Sequence, residues 1–250
     1  MDRFLSMTET DRRVHCERSG ELLHLAASAI EKDFWVCWML RALFSLQDMG
    51  QKFTFKGGTS LSKGWGLIER FSEDLNVVID RSSLGYGGDR SPENAQSNKE
   101  RGRRLDGLKT AARQFVSTRL TPALEQHLRE RLPAPLKCRL GIDPGDPDGQ
   151  TVLFEYVSVF SGSEYLRPMV RIELGARSDT EPTGTPNIEP HLSQALPDIF
   201  GPSAFPIRTV LPKRTFWEKA MLLHEENHRG GGVPHKLRLA RHYYDLWCLI

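Results

Sequence analysis

The sequence is poor in cysteine and lacks any long apolar run. It has four cysteines in 250 residues, with no CxxC pair among them, which excludes a cysteine-based zinc site or a disulfide scaffold and suits a reducing compartment. The densest apolar stretch, residues 34–40, is far shorter than the roughly 20 residues of a membrane helix. The first twenty residues are charged and do not resemble a secretory signal. We therefore expect a cytoplasmic protein that does not enter a membrane.

The sequence also has almost no net charge, +2 overall, so the total charge does not by itself indicate a protein that binds polyanions. The charges are nevertheless unevenly distributed. Residues 99–139 carry eleven Lys/Arg against four Asp/Glu, and residues 141–200 carry ten Asp/Glu against three Arg. We interpret the basic stretch as an RNA track and the acidic one as lying near a cation site; the alternative is two solvated faces. The candidate RNA contacts are Arg101, Arg103 and Arg104, which could equally be a solvated helix start.

Periodicity and turn residues predict an α/β (α+β) fold with a mixed sheet, flanking helices and a helical C-terminal part. Predicted strands cover residues 51–56, 75–80, 137–142, 151–160 and 169–174. Predicted helices lie in 19–46 (two, the second capped by Asp33), 59–71, 100–132 with a break near Pro122, 213–227 and 234–250. We divide the chain into a core with N-terminal helices (1–180) and a Pro-rich connection with C-terminal helices that close the cleft (181–250). The last helical pattern is still running at Ile250, so we expect the natural chain to continue.

A glycine turn separates the first predicted strand from the helix that follows it. Backbone N–H groups in such a turn can approach a phosphate closely, Ser60 can add a hydroxyl donor, and Lys63 can add a positive charge. Glycine pairs alone are weak evidence, but the order strand, turn, helix and second strand is more specific. The predicted nucleotide-binding residues are Gly57, Gly58, Thr59, Ser60 and Lys63.

The second strand opens with two polar residues on one face, Asp74 and Asn76. Phosphoryl-transfer enzymes place two carboxylates at such positions to hold a pair of Mg²⁺ ions. Glu173 is our third candidate metal ligand, because a carboxylate in the middle of an apolar strand is costly without a cation. The alternative is a salt bridge from Glu173 to Arg171 or Arg177.

Several segments resemble the AbiEii/AbiGii nucleotidyltransferase toxin family, which belongs to the polymerase-beta-like nucleotidyltransferase superfamily. The resemblance is carried mainly by FKGGTSLSK (55–63) and ERFSEDL (69–75). It continues in family order through EKDFW (31–35), VRIELGAR (170–177), RTFWEKA (214–220) and RHYYDL (241–246).

The resemblance implies a toxin that transfers a nucleotide from an NTP to RNA, in characterised members to a tRNA 3′ end, and that is opposed by a cognate antitoxin. By position, Gly58 and Ser60 would hold the triphosphate and Asp74 would bind metal. Lys219 would contact the nucleotide phosphates, and Asp245 would orient or deprotonate the acceptor. The alternatives are that Lys219 is a surface lysine and that Asp245 pairs with Arg241 one turn before it.

The sequence departs from the family pattern at Asn76, where the family has aspartate. An amide oxygen can ligate Mg²⁺ but brings no charge. Either aspartate was replaced to tolerate a toxic protein, which we favour because nothing else in the motif has decayed, or the chain is a degenerate natural member. Two rival functions stay open: a catalytically dead module that binds a nucleotide or a partner protein, and nucleotidyl transfer to a small molecule.

Overall fold

The structure is a computed structural model that describes residues 1–134, 136–160, 167–229 and 239–250. In these residues the strands form a mixed sheet of order β3-β4-β5-β2-β1-β9-β6 and a small β7-β8 pair. Their bounds are β1 (Phe53–Lys56), β2 (Asp74–Ile79), β3 (Cys138–Ile142), β4 (Thr151–Tyr156), β5 (Met169–Gly175), β6 (Thr183–Gly184), β7 (Asn187–Ile188), β8 (Phe205–Pro206) and β9 (Thr209–Val210). The mixed α/β fold predicted from the sequence is confirmed.

Helices flank this sheet. Their bounds are α1 (Asp2–Ser6), α2 (Glu9–Leu23), α3 (Ala27–Phe44), α4 (Gly57–Thr59), α5 (Asn98–Phe115), α6 (Thr121–Arg131), α7 (His191–Ala195), α8 (Pro197–Phe200), α9 (Pro212–Asn227) and α10 (Ala240–Leu249). Among the helices of the described segments, none is both long enough and apolar enough to cross a membrane.

The central strands bury one face and leave the other partly open. Side chains alternate along a strand, so every second residue of β2 and β5 lies on the same face. The buried set packs in the main core: Leu75, Val77, Val170, Ile172 and Leu174. Of the intervening residues, Val78 near the end of β2 is also buried. The polar ones are only half-buried: Asp74, Asn76, Arg171 and Glu173. The polar residues that were predicted to carry chemistry therefore share the open face of the sheet.

Helix α3 lies in the core, and most of its residues are buried, including the charged Glu31, Lys32 and Asp33. Our prediction that Asp33 caps this helix is wrong, because α3 begins at Ala27 and Asp33 lies in its interior. A carboxylate is tolerated there because it is paired: its Oδ1 lies 2.7 Å from Lys63 Nζ.

The helix after the glycine turn is shorter than the predicted 59–71. It consists of α4 and a π-helical turn, Ser60–Gly64. Gly66 has φ of +63°, a left-handed conformation that a helix cannot continue through. The chain then runs without helix or strand to Asp74, and this irregular segment brings Arg70 back to the turn.

The helix predicted to be interrupted near Pro122 changes instead to a π-helical turn, Val116–Leu120, which joins α5 to α6 with the backbone still helical. The Pro-rich connection holds more structure than predicted: β9 pairs in parallel with β1 through Phe55 and Thr209, and β6 extends the same sheet.

The division of the chain at residue 180 stays a prediction. Part of the predicted helix 234–250, residues 234–238, lies outside the described residues.

Candidate active site

The glycine turn begins where β1 ends at Lys56. Gly57 has φ of +83°, a conformation that suits glycine. A Cβ at Gly57 would lie 3.1 Å from Asn76 Cβ. The turn therefore packs directly on the side chain of the second polar position of β2.

Gly58 packs against an arginine that arrives from the irregular segment after the turn. A Cβ at Gly58 would lie 2.6 Å from Arg70 Nη2 and 3.0 Å from Ser72 Oγ. A side chain at Gly58 would therefore displace the end of the Arg70 side chain. The guanidinium of Arg70 consequently rests against the backbone of the turn.

The hydroxyls of Thr59 and Ser60 are buried, and each donates to a backbone carbonyl. Thr59 Oγ1 donates to the Asp74 carbonyl at 2.6 Å, and Ser60 Oγ donates to the Gly57 carbonyl at 2.8 Å. Thr59 thereby ties the turn to the start of β2. The backbone N–H groups of the turn are left as its candidate phosphate donors, alongside the predicted role of Ser60.

Lys63 does not extend into solvent, since its side chain is 9% exposed and its Nζ pairs with Asp33 at 2.7 Å. Burial opposes the charge of Lys63, but the Asp33 carboxylate outweighs it and raises the pKa above the ordinary lysine value. The structure thus gives Lys63 a partner inside the protein.

Asp74 stands at the edge of the cleft with its side chain 24% exposed. Burial, and then the neighbouring Glu73 carboxylate, raise its pKa. Glu73 itself pairs with the buried Lys32 of α3. Arg241 Nη1, from α10, lies 4.0 Å from Asp74 Oδ2. The C-terminal helix therefore reaches the strand that carries Asp74.

Asn76 and Glu173 are register partners on the parallel strands β2 and β5. Glu173 Oε1 accepts a hydrogen bond from Arg171 Nε at 3.1 Å, which is one of the two salt bridges considered for it. Among the described residues, no three His, Cys, Asp or Glu side chains are grouped closely enough to hold a metal ion. The candidate ligands are nevertheless the carboxylates of Asp74 and Glu173 and the amide of Asn76. All three offer oxygen atoms, which a hard divalent cation prefers, but the amide lowers the total negative charge.

The C-terminal helices bring Asp245 and Lys219 together next to the turn. Asp245 is fully buried and accepts from Arg70 Nε at 2.6 Å and Arg70 Nη2 at 2.7 Å, across 175 residues of sequence. Lys219 Nζ lies 2.8 Å from Asp245 Oδ2. Lys219 is therefore not a surface lysine, and Asp245 pairs with Arg70 and Lys219.

The ionisable groups of this cluster influence one another. Burial opposes the charge of Asp245, but hydrogen bonds from Arg70 and Lys219 lower its pKa below the ordinary value. Burial lowers the pKa of Lys219, against the pull of Asp245. Burial and then the Lys219 charge lower the pKa of His242 to about 4, so its imidazole is neutral at neutral pH.

The three candidate RNA contacts occupy the first half of α5. Arg101 and Arg103 are exposed. Arg104 instead bonds to Glu100 and to the carbonyls of Asp89 and Ser91. Arg101 and Arg103 are therefore accessible to an RNA, whereas Arg104 binds the loop that precedes α5.

Sequence reasoning missed three basic residues of this region. Arg70 lies inside a family motif but was given no role, and Arg241 was considered only as a partner of Asp245. Lys56 pairs with Glu218 at 2.9 Å and so joins β1 to α9. The sequence signal that could have indicated a role for Arg70 was its position in ERFSEDL, four residues before Asp74.

Comparisons with known proteins agree with the motifs. A family model described as "Nucleotidyl transferase AbiEii toxin, Type IV TA system" matches residues 38–250. No curated protein matches the sequence. Among solved structures, MenT4, a nucleotidyltransferase toxin from Mycobacterium tuberculosis, is similar with a TM-score of 0.45 at 16% identity. The match covers 88% of this chain and 60% of MenT4, and at that TM-score it supports no inference about the site.

Proposed function

The chain belongs to the AbiEii nucleotidyltransferase toxin family, whose model matches residues 38–250, and from this membership we propose that it transfers a nucleotide from an NTP to RNA as the toxin of a type IV toxin–antitoxin pair. The family resemblance inferred from the motifs is thereby confirmed. Since MenT4 is covered over only 60% of its length, the activity, substrates and partners of this chain are part of the proposal.

The observation that carries the proposal is the meeting of three distant segments on the open face of the sheet. The glycine turn packs on Asn76, and α10 reaches both sides of the cleft through Asp245–Arg70 and Arg241–Asp74. Nucleotidyl transfer needs phosphate-binding donors, a carboxylate for a divalent cation and cations near the leaving phosphates, all in one cleft. This geometry supports that set of roles.

Each group has a role in the proposed reaction. The backbone N–H groups of Gly58 and Thr59 bind the triphosphate, while Lys219 offsets charge that develops on the phosphates. Asp74 is the main ligand for Mg²⁺, with Asn76 and Glu173 as weaker ones; two ions are expected. When bound, Mg²⁺ would favour ionisation of the attacking hydroxyl and stabilise the pyrophosphate that leaves.

The acceptor in this proposal is RNA, with a tRNA 3′ end as the first candidate. The exposed Arg101 and Arg103 support it, because arginines on one solvent-facing helix segment can contact a phosphate backbone. A cognate antitoxin belongs to the same proposal, because the family is described as part of a type IV toxin–antitoxin system. So does a cytoplasmic location, since NTPs and RNA are the proposed substrates.

A second candidate function is a binding module that no longer catalyses transfer. It is favoured by the missing charge at Asn76 and by the bond from Arg171 to Glu173, because both reduce the negative charge that the site offers to a divalent cation. Such a module would bind NTP through the turn and release it unchanged.

The test is transfer by this chain and by its Asn76→Asp variant. Each is incubated with one of the four α-³²P-labelled NTPs, Mg²⁺ and either total RNA, purified tRNA or an aminoglycoside antibiotic. We expect label in the tRNA band with Asn76→Asp and little or none with the parent chain. Label on the antibiotic would favour transfer to a small molecule. No label in any reaction, with NTP binding intact, would favour the binding module.

A further inference from the structure

Asp245 is enclosed by cations. Its side chain has no exposed surface, and both oxygens are occupied: Oδ1 by Arg70 Nε, and Oδ2 by Arg70 Nη2 and Lys219 Nζ. The distances of 2.6, 2.7 and 2.8 Å are those of strong charge-assisted bonds. The two bonds to Arg70 form a fork that fixes the plane of the guanidinium.

This environment is unsuited to a general base. A base must reach the proton of the acceptor hydroxyl, and it works best with a pKa near the working pH. Asp245 meets neither condition, because its oxygens are covered and its cationic partners lower its pKa. Another role is needed for a carboxylate in this position.

The cluster carries more positive than negative charge. One carboxylate, Asp245, faces two cations, Arg70 and Lys219, and the adjacent His242 is neutral at neutral pH. Arg70 keeps 20% of its side chain exposed and lies against Gly58. Its Nη1 is not bonded to Asp245; within the described residues it makes a 3.5 Å contact with the Phe71 carbonyl. The surplus charge therefore faces the backbone of the glycine turn.

We propose that Arg70 contacts the triphosphate of the NTP and that Asp245 is a positioning residue which holds Arg70 and Lys219 beside the glycine turn. This inference rests on the proposed function, because it presumes a triphosphate at the turn. It assigns Arg70 a role that the motifs did not, and it replaces the role of Asp245 as a base. It also explains why α10 folds back: its aspartate completes the anion-binding side of the cleft.

The test uses inorganic triphosphate as the probe, in EDTA, so that neither base recognition nor Mg²⁺ contributes. Binding is measured by calorimetry for the parent chain, Arg70→Gln, Asp245→Asn and the double variant. We expect Arg70→Gln to weaken binding by about 10-fold or more, as for removal of a hydrogen bond to a charged group. Removing the negative charge of Asp245 would by itself tighten anion binding, but it would also make Lys219 easier to deprotonate, because Asp245 raises the pKa of Lys219. Weaker binding by Asp245→Asn therefore reports impaired positioning when it persists at a lower pH, at which Lys219 is protonated. The double variant should weaken binding by less than the product of the two single effects.

The controls separate folding from binding. Arg208→Gln removes an arginine from an exposed pair with Glu181 and should leave triphosphate affinity unchanged. Each variant is checked by circular dichroism. If Asp245→Asn does not fold, Arg70→Lys tests the positioning role in its place, because lysine keeps the positive charge but cannot form both hydrogen bonds to Asp245. Weaker binding by Arg70→Lys supports positioning, and parent-like binding overturns it.

Three results would overturn the inference: parent-like binding by Arg70→Gln, unchanged or tighter binding by Asp245→Asn, or no triphosphate binding by the parent. Transfer gives a separate readout in the Asn76→Asp background. There, Asp245→Asn should raise the KM for NTP more than it lowers kcat, whereas removal of a base would lower kcat at constant KM. Intact triphosphate results without any transfer would refute the proposed function and leave this inference standing.

Discussion

Two buried aspartates reach the glycine-turn segment from different helices, and their partners differ. Asp33, on α3, joins Lys63 in a pair whose side chains are 3% and 9% exposed. Asp33 Oδ2 also accepts from the His191 backbone N–H at 2.7 Å. Asp245, on α10, joins two cations, and one of them, Arg70, remains partly open to the cleft.

The difference indicates which ion pair serves the fold and which serves a ligand. The Asp33–Lys63 pair balances one charge with another inside the core and leaves little to attract an anion. The Asp245 cluster leaves a positive charge beside the backbone of the turn. Sequence reasoning placed the phosphate contact on Lys63; that role stays a prediction, and the structure makes Arg70 the stronger candidate.

The largest expected effect is on stability. Lys63→Met removes the partner of a buried carboxylate, so we expect the free energy of unfolding to fall by about 3–5 kcal/mol. Urea denaturation measures it, with Lys99→Met, an exposed lysine on α5, as the matched control. A decrease as small as that of the control would mean that the pair does not hold the turn.

The next effect is on transfer. In the Asn76→Asp background, Lys219→Ala should lower kcat/KM by about 10²-fold or more, since it removes a cation that offsets charge on the phosphates. Lys213→Ala, at an exposed position of the same helix, is the control. Transfer within a few-fold of the background would exclude Lys219 from the reaction.

A smaller effect is expected on metal dependence. Asn76→Asp adds a second carboxylate to β2, so Mg²⁺ should tighten NTP binding by about 10-fold more in the variant than in the parent chain. Calorimetry with and without Mg²⁺ measures both. Equal Mg²⁺ dependence in the two proteins would refute a site built on two carboxylates of β2.

The smallest effect is expected at α5. Reversing Arg101 and Arg103 to Glu should weaken tRNA binding and reduce its salt dependence, by a slope of about one for each phosphate that is no longer neutralised. Arg104→Glu should instead reduce stability, because Arg104 bonds to the loop before α5. Filter binding at several salt concentrations, paired with urea denaturation, measures both. NTP binding that falls along with RNA binding would contradict a separate RNA track.

The features that the sequence predicted are those that depend on local pattern. Alternation along β2 placed Asp74 and Asn76 on one face, and the turn before them was recognisable from its glycines. The features missed depend on packing between distant segments. No local rule predicts that Arg70 binds Asp245 across 175 residues. The same holds for Asp33, which was predicted to cap a helix but lies in a helix interior, where it pairs with Lys63.

The central claim is that the two ion pairs divide their roles, and triphosphate binding by two variants tests it most directly. Asp33→Asn/Lys63→Gln neutralises the core pair without leaving a lone buried charge, and Arg70→Gln removes the cation at Gly58. We predict affinity for inorganic triphosphate within about 2-fold of the parent for the first and a decrease of about 10-fold or more for the second. The reverse order, with the larger decrease in Asp33→Asn/Lys63→Gln, would contradict the account and return the phosphate contact to Lys63.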